Sequence, residues 1–289
     1  MKVAVIGPGS VGGSVAAWIA QRADVELSLA VRTKFDLLIV DAPDRRLTVK
    51  PNMLTDPAAA QPVDWVLIAT KAYDAAATSA WLERMVGSQT RVAVLQNGIE
   101  HVERFSAFVP AQRIVPAIVD IPAERTAPGR IHQRRAGSLV VPAGPDGEEF
   151  VALFDASPIE ARTTDDWLSA AWFKLSLNSA GAVSALTLQP AGVSRREPIA
   201  RIMHALVEEC AAVGRAEGAS LADDIADEVV GRYQASPPDS INSMHADRIA
   251  GRPMEVDARH GIIVRLGLKH GIATPMNEIA VALLEASAG

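Results

Sequence analysis

The feature that most constrains this chain is its opening. The apolar run VAVI (3–6) leads into Gly7-Pro8-Gly9-Ser10-Val11-Gly12, and a helical pattern follows from Ser10 to Arg22. This is G-x-G-x-x-G in the strand–turn–helix setting that gives the pattern its meaning. Each glycine has a separate reason to be there. Gly7 permits the tight turn, Gly9 lets backbone approach a pyrophosphate, and Gly12 lets the helix lie close to the strand. The N–H groups at the helix start then face an anion. A glycine turn without ligand duty is the competing reading, and the flanking strand and helix disfavour it.

Beyond the turn, short apolar runs alternate with helical patterns. VELSLAV (25–31), WVLIAT (65–70), RVAVLQ (91–96), RIVPAIVDI (113–121) and SLVVPA (138–143) read as strands, with a helix over 72–85. Strands alternating with helices predict parallel βαβ units in a doubly wound sheet. After residue 163 the strand signals stop. Thr163-Thr164-Asp165-Asp166 reads as a helix start, Ser194-Arg195-Arg196-Glu197 as a capping box, and Thr274-Pro275 as an N-cap before a first-turn proline. The expectation is a Rossmann-type α/β dinucleotide-binding domain over 1–163 and an all-helical substrate domain over 164–289.

Composition narrows the function classes. The 289 residues carry 28 Lys+Arg against 34 Asp+Glu, a net charge of −6, which argues against a nucleic-acid surface built on positive charge. One cysteine, Cys210, excludes an internal disulfide and a Cys-rich zinc site and fits a reducing, cytoplasmic setting. The six histidines show no metal-ligand spacing. MKVAVIG enters the glycine turn too early for a signal peptide, and the charge-poor stretch 167–188 holds polar groups that a bilayer would penalise. No membrane role is expected.

Arg32 ends the second expected strand, where an NAD-selective protein usually has Asp or Glu for the ribose 2′-hydroxyl. A guanidinium can instead hold a 2′-phosphate through two hydrogen bonds, and Lys34 adds charge nearby. NADPH is therefore the expected cofactor, against the alternative of a solvated basic pair.

Between 167 and 188 the one charged side chain is Lys174, in AAWFKLSLNSAG. Its amine either snorkels to solvent or lines a polar cleft. Asn178 lies one helical turn on, on the same face. A Lys–Asn pair projecting into a crevice suits carbonyl reduction, with the ammonium donating a proton to oxygen and the amide fixing the substrate.

Taken together, GPGSVG (7–12), Arg32, ATKAYD (69–74), LQNG (95–98), WFKLSLN (172–178), NSM (242–244), GRPMEVD (251–257) and HGIATPMN (270–277) run in the order of the ketopantoate reductase family, which this chain resembles over nearly its whole length. The resemblance implies reduction of 2-dehydropantoate, or a related 2-oxo acid, with NADPH, a step towards pantothenate. It implies that Lys174 is the general acid, that Asn178 and Asn97 contact substrate, and that Lys71 and Asn97 stand beside the nicotinamide. Ser243 and Glu255 would bind the substrate's carboxylate end and hydroxyls, with Glu255 in the catalytic set. Residue by residue, Ser243 also reads as a helix cap and Glu255 as a first-turn acid.

Two positions depart from the family pattern. Ala182 and His260 stand where the family tends to have asparagine, and Ala182 would leave the Lys174–Asn178 stripe one amide short. Another hydroxy-acid dehydrogenase on the same plan, or a non-catalytic NADPH-binding sensor, therefore stays open. The partner expected is a small-molecule 2-oxo acid. The sequence is silent on oligomeric state, and a homodimer is compatible with it.

Overall fold

Every residue of β1 (Lys2–Ile6) after Lys2 is buried, so both faces of the strand are covered, as in the centre of a parallel sheet. Its alternation feeds two cores. Val3 and Val5 join Trp18, Leu29 and Leu67 on one face, and Ala4 and Ile6 join Ile68, Leu82 and Phe105 on the other. The computed structural model describes residues 1–287. The chain divides into two compact units, Met1–Trp167 and Leu168–Gly289.

In the first unit β1 is followed by α1 (Ser10–Ile19), β2 (Glu26–Ala30), β3 (Leu38–Asp41), β4 (Arg46–Val49), β5 (Asn52–Leu54), β6 (Trp65–Ile68), α2 (Ala75–Met85), β7 (Arg91–Val94) and α3 (His101–Phe105). Next come β8 (Ile114–Pro116), β9 (Ile118–Asp120), β10 (Ala123–Ala127), β11 (Arg130–Gln133), β12 (Ser138–Pro142), α4 (Pro145–Ala152) and β13 (Glu160–Thr164). The main sheet has the order β5-β2-β1-β6-β7-β8, with every pairing parallel. The chain leaves β1 towards β2 and later returns to its other side as β6. This makes β1/β6 the switch point outside whose carboxyl ends open α/β sheets bind ligands.

The doubly wound sheet is accompanied by two smaller sheets that the sequence did not reveal. One has the order β10-β11-β3-β4 and packs against α1, with Leu38, Val40 and Ile131 in the core. The other has the order β13-β12-β9. The run 113–121 is therefore two strands: β8 closes the main sheet beside β7, and β9 pairs antiparallel with β12. SLVVPA belongs to the small sheet as well.

The expected helix start at Thr163 is corrected. Val141 and Pro142 pair with Thr163 and Thr164, which holds both threonines extended at the end of β13. The helix begins only at Trp167.

The second unit contains α5 (Trp167–Ala180), α6 (Ala182–Thr187), α7 (Glu197–Ala216), α8 (Ile225–Ala235), α9 (Ser243–Ile249), α10 (Ile262–His270) and α11 (Pro275–Ala286). A π-helical turn, Asp257–Gly261, runs directly into α10. The core gathers Met203, Leu206, Val207, Val229, Met244 and Leu284. A Cβ at Gly214 would lie 2.9 Å from the Trp172 ring, so α7 and α5 meet through a glycine.

The capping box at Ser194 is not formed. Ser194 sits in a 3-10 turn and donates to Ala191 O at 2.7 Å, and α7 starts at Glu197 with Arg196 in the N-cap position. Pro198 in the first turn supplies the start signal instead. Thr274 is the N-cap residue of α11, with Pro275 following it. Among the described residues no helix is long and apolar enough to cross a membrane, and no group of three or more His, Cys, Asp or Glu could hold a metal.

Candidate active site

The glycine turn separates into two packed positions and one open one. Gly7 has φ +81°, and a Cβ there would lie 2.7 Å from Thr70 Cγ2 and 2.9 Å from the Thr70 backbone nitrogen. At Gly12 a Cβ would lie 2.5 Å from Gly7 O and 2.7 Å from Ala69 Cβ. At Gly9 the nearest heavy atom would be Gly7 O, 4.0 Å away. Backbone is therefore approachable from outside at Gly9, the N-cap of α1. Pro8 carries no N–H, whereas the first-turn N–H groups of Ser10, Val11 and Gly12 lie beyond the reach of intrahelical acceptors. The geometry is an anion cradle with positive dipole behind it.

Arg32 stands just past β2 with its side chain 80% exposed, and its Nη2 is 2.9 Å from Asp74 Oδ1. Lys34 is exposed as well. A pair this open contributes little to stability, so the guanidinium is held in place yet accessible.

Lys71 and Asn97 follow the carboxyl ends of β6 and β7, and both are half-buried. Their loops are tied together by Gln96, which is almost fully buried. Its Nε2 donates to Thr70 Oγ1 at 2.9 Å and to Lys71 O at 3.2 Å. Its Oε1 accepts from Arg104 Nη1 at 2.9 Å, and its backbone O accepts from His101 Nε2 at 2.8 Å. Because Thr70 also packs on Gly7, one chain of contacts joins the ends of β1, β6 and β7. Sequence reasoning missed Gln96 and Thr70 as positioning residues, although both lie inside the quoted motifs.

In the second unit, α5 has a buried face of Trp172, Leu175, Ser176 and Ser179 and a half-buried stripe of Phe173, Lys174, Leu177 and Asn178. Lys174 and Asn178 thus share the more open side of a helix that is otherwise packed. The stripe does not run on unbroken to Ala182. The helix steps at Gly181, where Asn242 Nδ2 donates to Gly181 O at 2.9 Å and a Cβ would lie 2.6 Å from Tyr233 Oη. Ala182 is fully buried in the second core.

Ser243 and Glu255 come together through a residue that the sequence did not single out. Arg259 Nη2 donates to Ser243 Oγ at 2.7 Å and lies 4.0 Å from Glu255 Oε2. The Glu255 and Arg259 side chains are 2% and 4% exposed. Ser243 does not cap α9. That task falls to Asn242, whose Oδ1 accepts from His245 N at 2.9 Å, and the Ser243 hydroxyl is left to Arg259. Glu255 is not a first-turn acid either, because it precedes the π-helical turn and its N-cap Val256.

His260, next to Arg259, is fully buried. Its Nδ1 donates to Asn277 Oδ1 at 2.9 Å, and Ser179 Oγ donates to the same oxygen at 3.1 Å. Asn277 Nδ2 in turn donates to Glu209 Oε2 at 2.8 Å and Leu206 O at 3.2 Å. Burial pushes the His260 imidazole down to about 4, so it is a neutral structural group at neutral pH.

Comparison with known proteins gives the same two-part division. The family description "Ketopantoate reductase PanE/ApbA" matches residues 3–146, and "Ketopantoate reductase PanE/ApbA C terminal" matches residues 166–288. The 2-dehydropantoate 2-reductase of Caulobacter vibrioides is 56% identical over 287 residues, covering 99% of both chains. The chain belongs to the ketopantoate reductase family.

A second relative within the family, the 2-dehydropantoate 2-reductase of Mycobacterium tuberculosis, is 38% identical, covering 99% of this chain and 97% of its own. Among solved structures, the ketopantoate reductase of Ralstonia eutropha superposes with a TM-score of 0.91 at 32% identity, covering 100% and 98% of the two chains. The D-mandelate dehydrogenase solved with NADH and anilino(oxo)acetate has a TM-score of 0.89 at 22% identity over 100% and 98% of the two chains, a likeness of fold.

Proposed function

We propose that this protein is an NADP-dependent oxidoreductase that reduces the 2-oxo group of 2-dehydropantoate, or of a closely related 2-oxo acid, to the 2-hydroxy acid. The observation that carries the reading is Lys174. It is the one charged side chain of α5, on the helix's half-buried stripe with Asn178 one turn on. Family membership supplies the reaction class.

The residues of the first unit fit a dinucleotide. Gly7, Pro8, Gly9, Ser10, Val11 and Gly12 form a cradle whose open position is Gly9, which suits close approach by a pyrophosphate. Arg32, exposed just past the end of β2, suits a 2′-phosphate and so NADPH over NADH. Lys71 and Asn97, fixed by the Gln96 clamp, would flank the nicotinamide ring. When bound, the reduced nicotinamide supplies the hydride that the carbonyl carbon accepts.

The remaining work falls to side chains of the second unit. The Lys174 ammonium donates a proton to the carbonyl oxygen as negative charge develops there. Asn178 and Asn97 orient the substrate by hydrogen bonding. Ser243 and Glu255 receive its polar substituents, and the burial of Glu255 makes a substrate lacking the group it binds costly to accept.

The test is NADPH oxidation across a panel of branched and aromatic 2-oxo acids, followed at 340 nm. The reading expects 2-dehydropantoate among the substrates turned over fastest. Tight NADPH binding with no turnover on any panel member would leave a dinucleotide-binding sensor instead. We extend the reading to a homodimer, supported by Ile279 and Leu283, one turn apart and both 52% exposed on α11. Sedimentation equilibrium checks it.

A further inference from the structure

A buried guanidinium has five N–H donors and needs an anion and hydrogen-bond acceptors to offset the loss of water. Arg259 has too few. The residue is 3% exposed. Nη2 donates to Ser243 Oγ at 2.7 Å, while Glu255 Oε2 at 4.0 Å is beyond hydrogen-bond range. Nε is buried with no partner. A cation held this way is satisfied only in part by its own chain.

The backbone is shaped to hold it there. Arg259 and His260 lie in the π-helical turn Asp257–Gly261, and both side chains are buried. A π turn inserts one extra residue into a helix and rotates the next helical segment, and such turns recur at functional sites. This turn is braced at its outer edge, where Arg265 Nη1 donates to Asp257 Oδ1. Straightening it would shift the register by a residue and swing Arg259 away from Ser243.

We infer that Arg259 is a substrate-binding residue that takes the carboxylate of the 2-oxo acid, with Ser243 Oγ and Glu255 Oε2 fixing its guanidinium in place. The inference rests on the function proposed above and deepens it, because it assigns the anionic end of the substrate to one side chain. The planar fork explains a choice of arginine, since it meets a carboxylate through two parallel hydrogen bonds where lysine offers one point charge.

The test is equilibrium binding, independent of turnover. Pantoate, the 2-hydroxy acid that reduction of 2-dehydropantoate yields, and pantoamide, which differs only at the carboxylate, are titrated by calorimetry into wild type, Arg259→Gln and Arg259→Lys. Wild type is expected to bind the acid about tenfold or more tighter than the amide. Arg259→Gln should bring the two affinities together while amide binding changes little, and Arg259→Lys should keep part of the preference. Equal affinities in wild type, or an unchanged preference in Arg259→Gln, would overturn the assignment. Should Arg259→Gln unfold, Arg259→Lys decides, because a purely structural role predicts equal losses for acid and amide. An acid preference that depends on Arg259, in a protein that reduces no 2-oxo acid, would overturn the proposed reaction and leave the carboxylate site standing.

Discussion

Gln96 reaches from the end of β7 to Thr70 at the end of β6, with Nε2 2.9 Å from Oγ1, and the same nitrogen holds the Lys71 carbonyl. One buried amide thereby fixes the two loops that carry Lys71 and Asn97. Gln96→Leu keeps the volume and removes these bonds, taking one hydrogen bond each from Thr70 and Arg104. It should cost about 1–3 kcal/mol of stability. It should also lower kcat/KM with the preferred 2-oxo acid by about tenfold or more, since loop placement is lost. Urea denaturation and steady-state kinetics on one preparation check both.

The glycine turn gives a prediction with opposite outcomes at neighbouring positions. Gly9→Ala has ordinary φ and open space, so thermal stability should stay near wild type while dinucleotide affinity falls about tenfold. Gly12→Ala drives a Cβ into Gly7 O and Ala69, and should destabilise the first unit by about 1–3 kcal/mol. Melting curves with and without NADPH separate the two effects.

Arg32 and Asp74 should differ in sign. Arg32, 2.9 Å from Asp74, is proposed to hold the 2′-phosphate, so Arg32→Glu is expected to weaken NADPH at least about tenfold with little change for NADH. Asp74→Asn removes the competing carboxylate and should leave NADPH binding equal or tighter. Fluorescence titration with each nucleotide reads both variants.

Acid should destabilise the protein through its buried imidazoles, His101 and His260 foremost. Burial pushes His101 and His260 each down to about 4. The unfolded chain takes up these protons near pH 6.5, the native protein only near pH 4. Stability present above pH 6.5 is therefore lost as pH falls from 6.5 towards 4, by about 1.4 kcal/mol per pH unit for each histidine. His101 belongs to the first unit and His260 to the second, so both unfolding transitions should weaken across that window. Urea midpoints between pH 7 and pH 4 test it.

Local features of the sequence were readable and tertiary ones were not. The strand–glycine–helix opening is legible because turn chemistry and periodicity act within a dozen residues. β3, β4, β10 and β11 left no comparable trace: they span four or five residues, and RLTV and AERTA carry polar groups on their open sides. The threonines at 163 and 164 looked like a helix start because nothing local reveals their pairing to β12. Arg259 was the harder case. Within GRPMEVDARHG it reads as a solvated charge, and only the π turn and the approach of α9 bury it against Ser243. Gln96 was quoted within a motif, but its reach across two strand ends is a property of the sheet.

The measurement closest to the central claim is single-turnover reduction by Lys174→Ala, with NADPH affinity determined on the same sample. With Lys174 as the proposed proton donor, its removal should lower the rate of the chemical step by about 100-fold or more and leave the NADPH Kd within about twofold of wild type. Unchanged turnover in that variant would contradict the account.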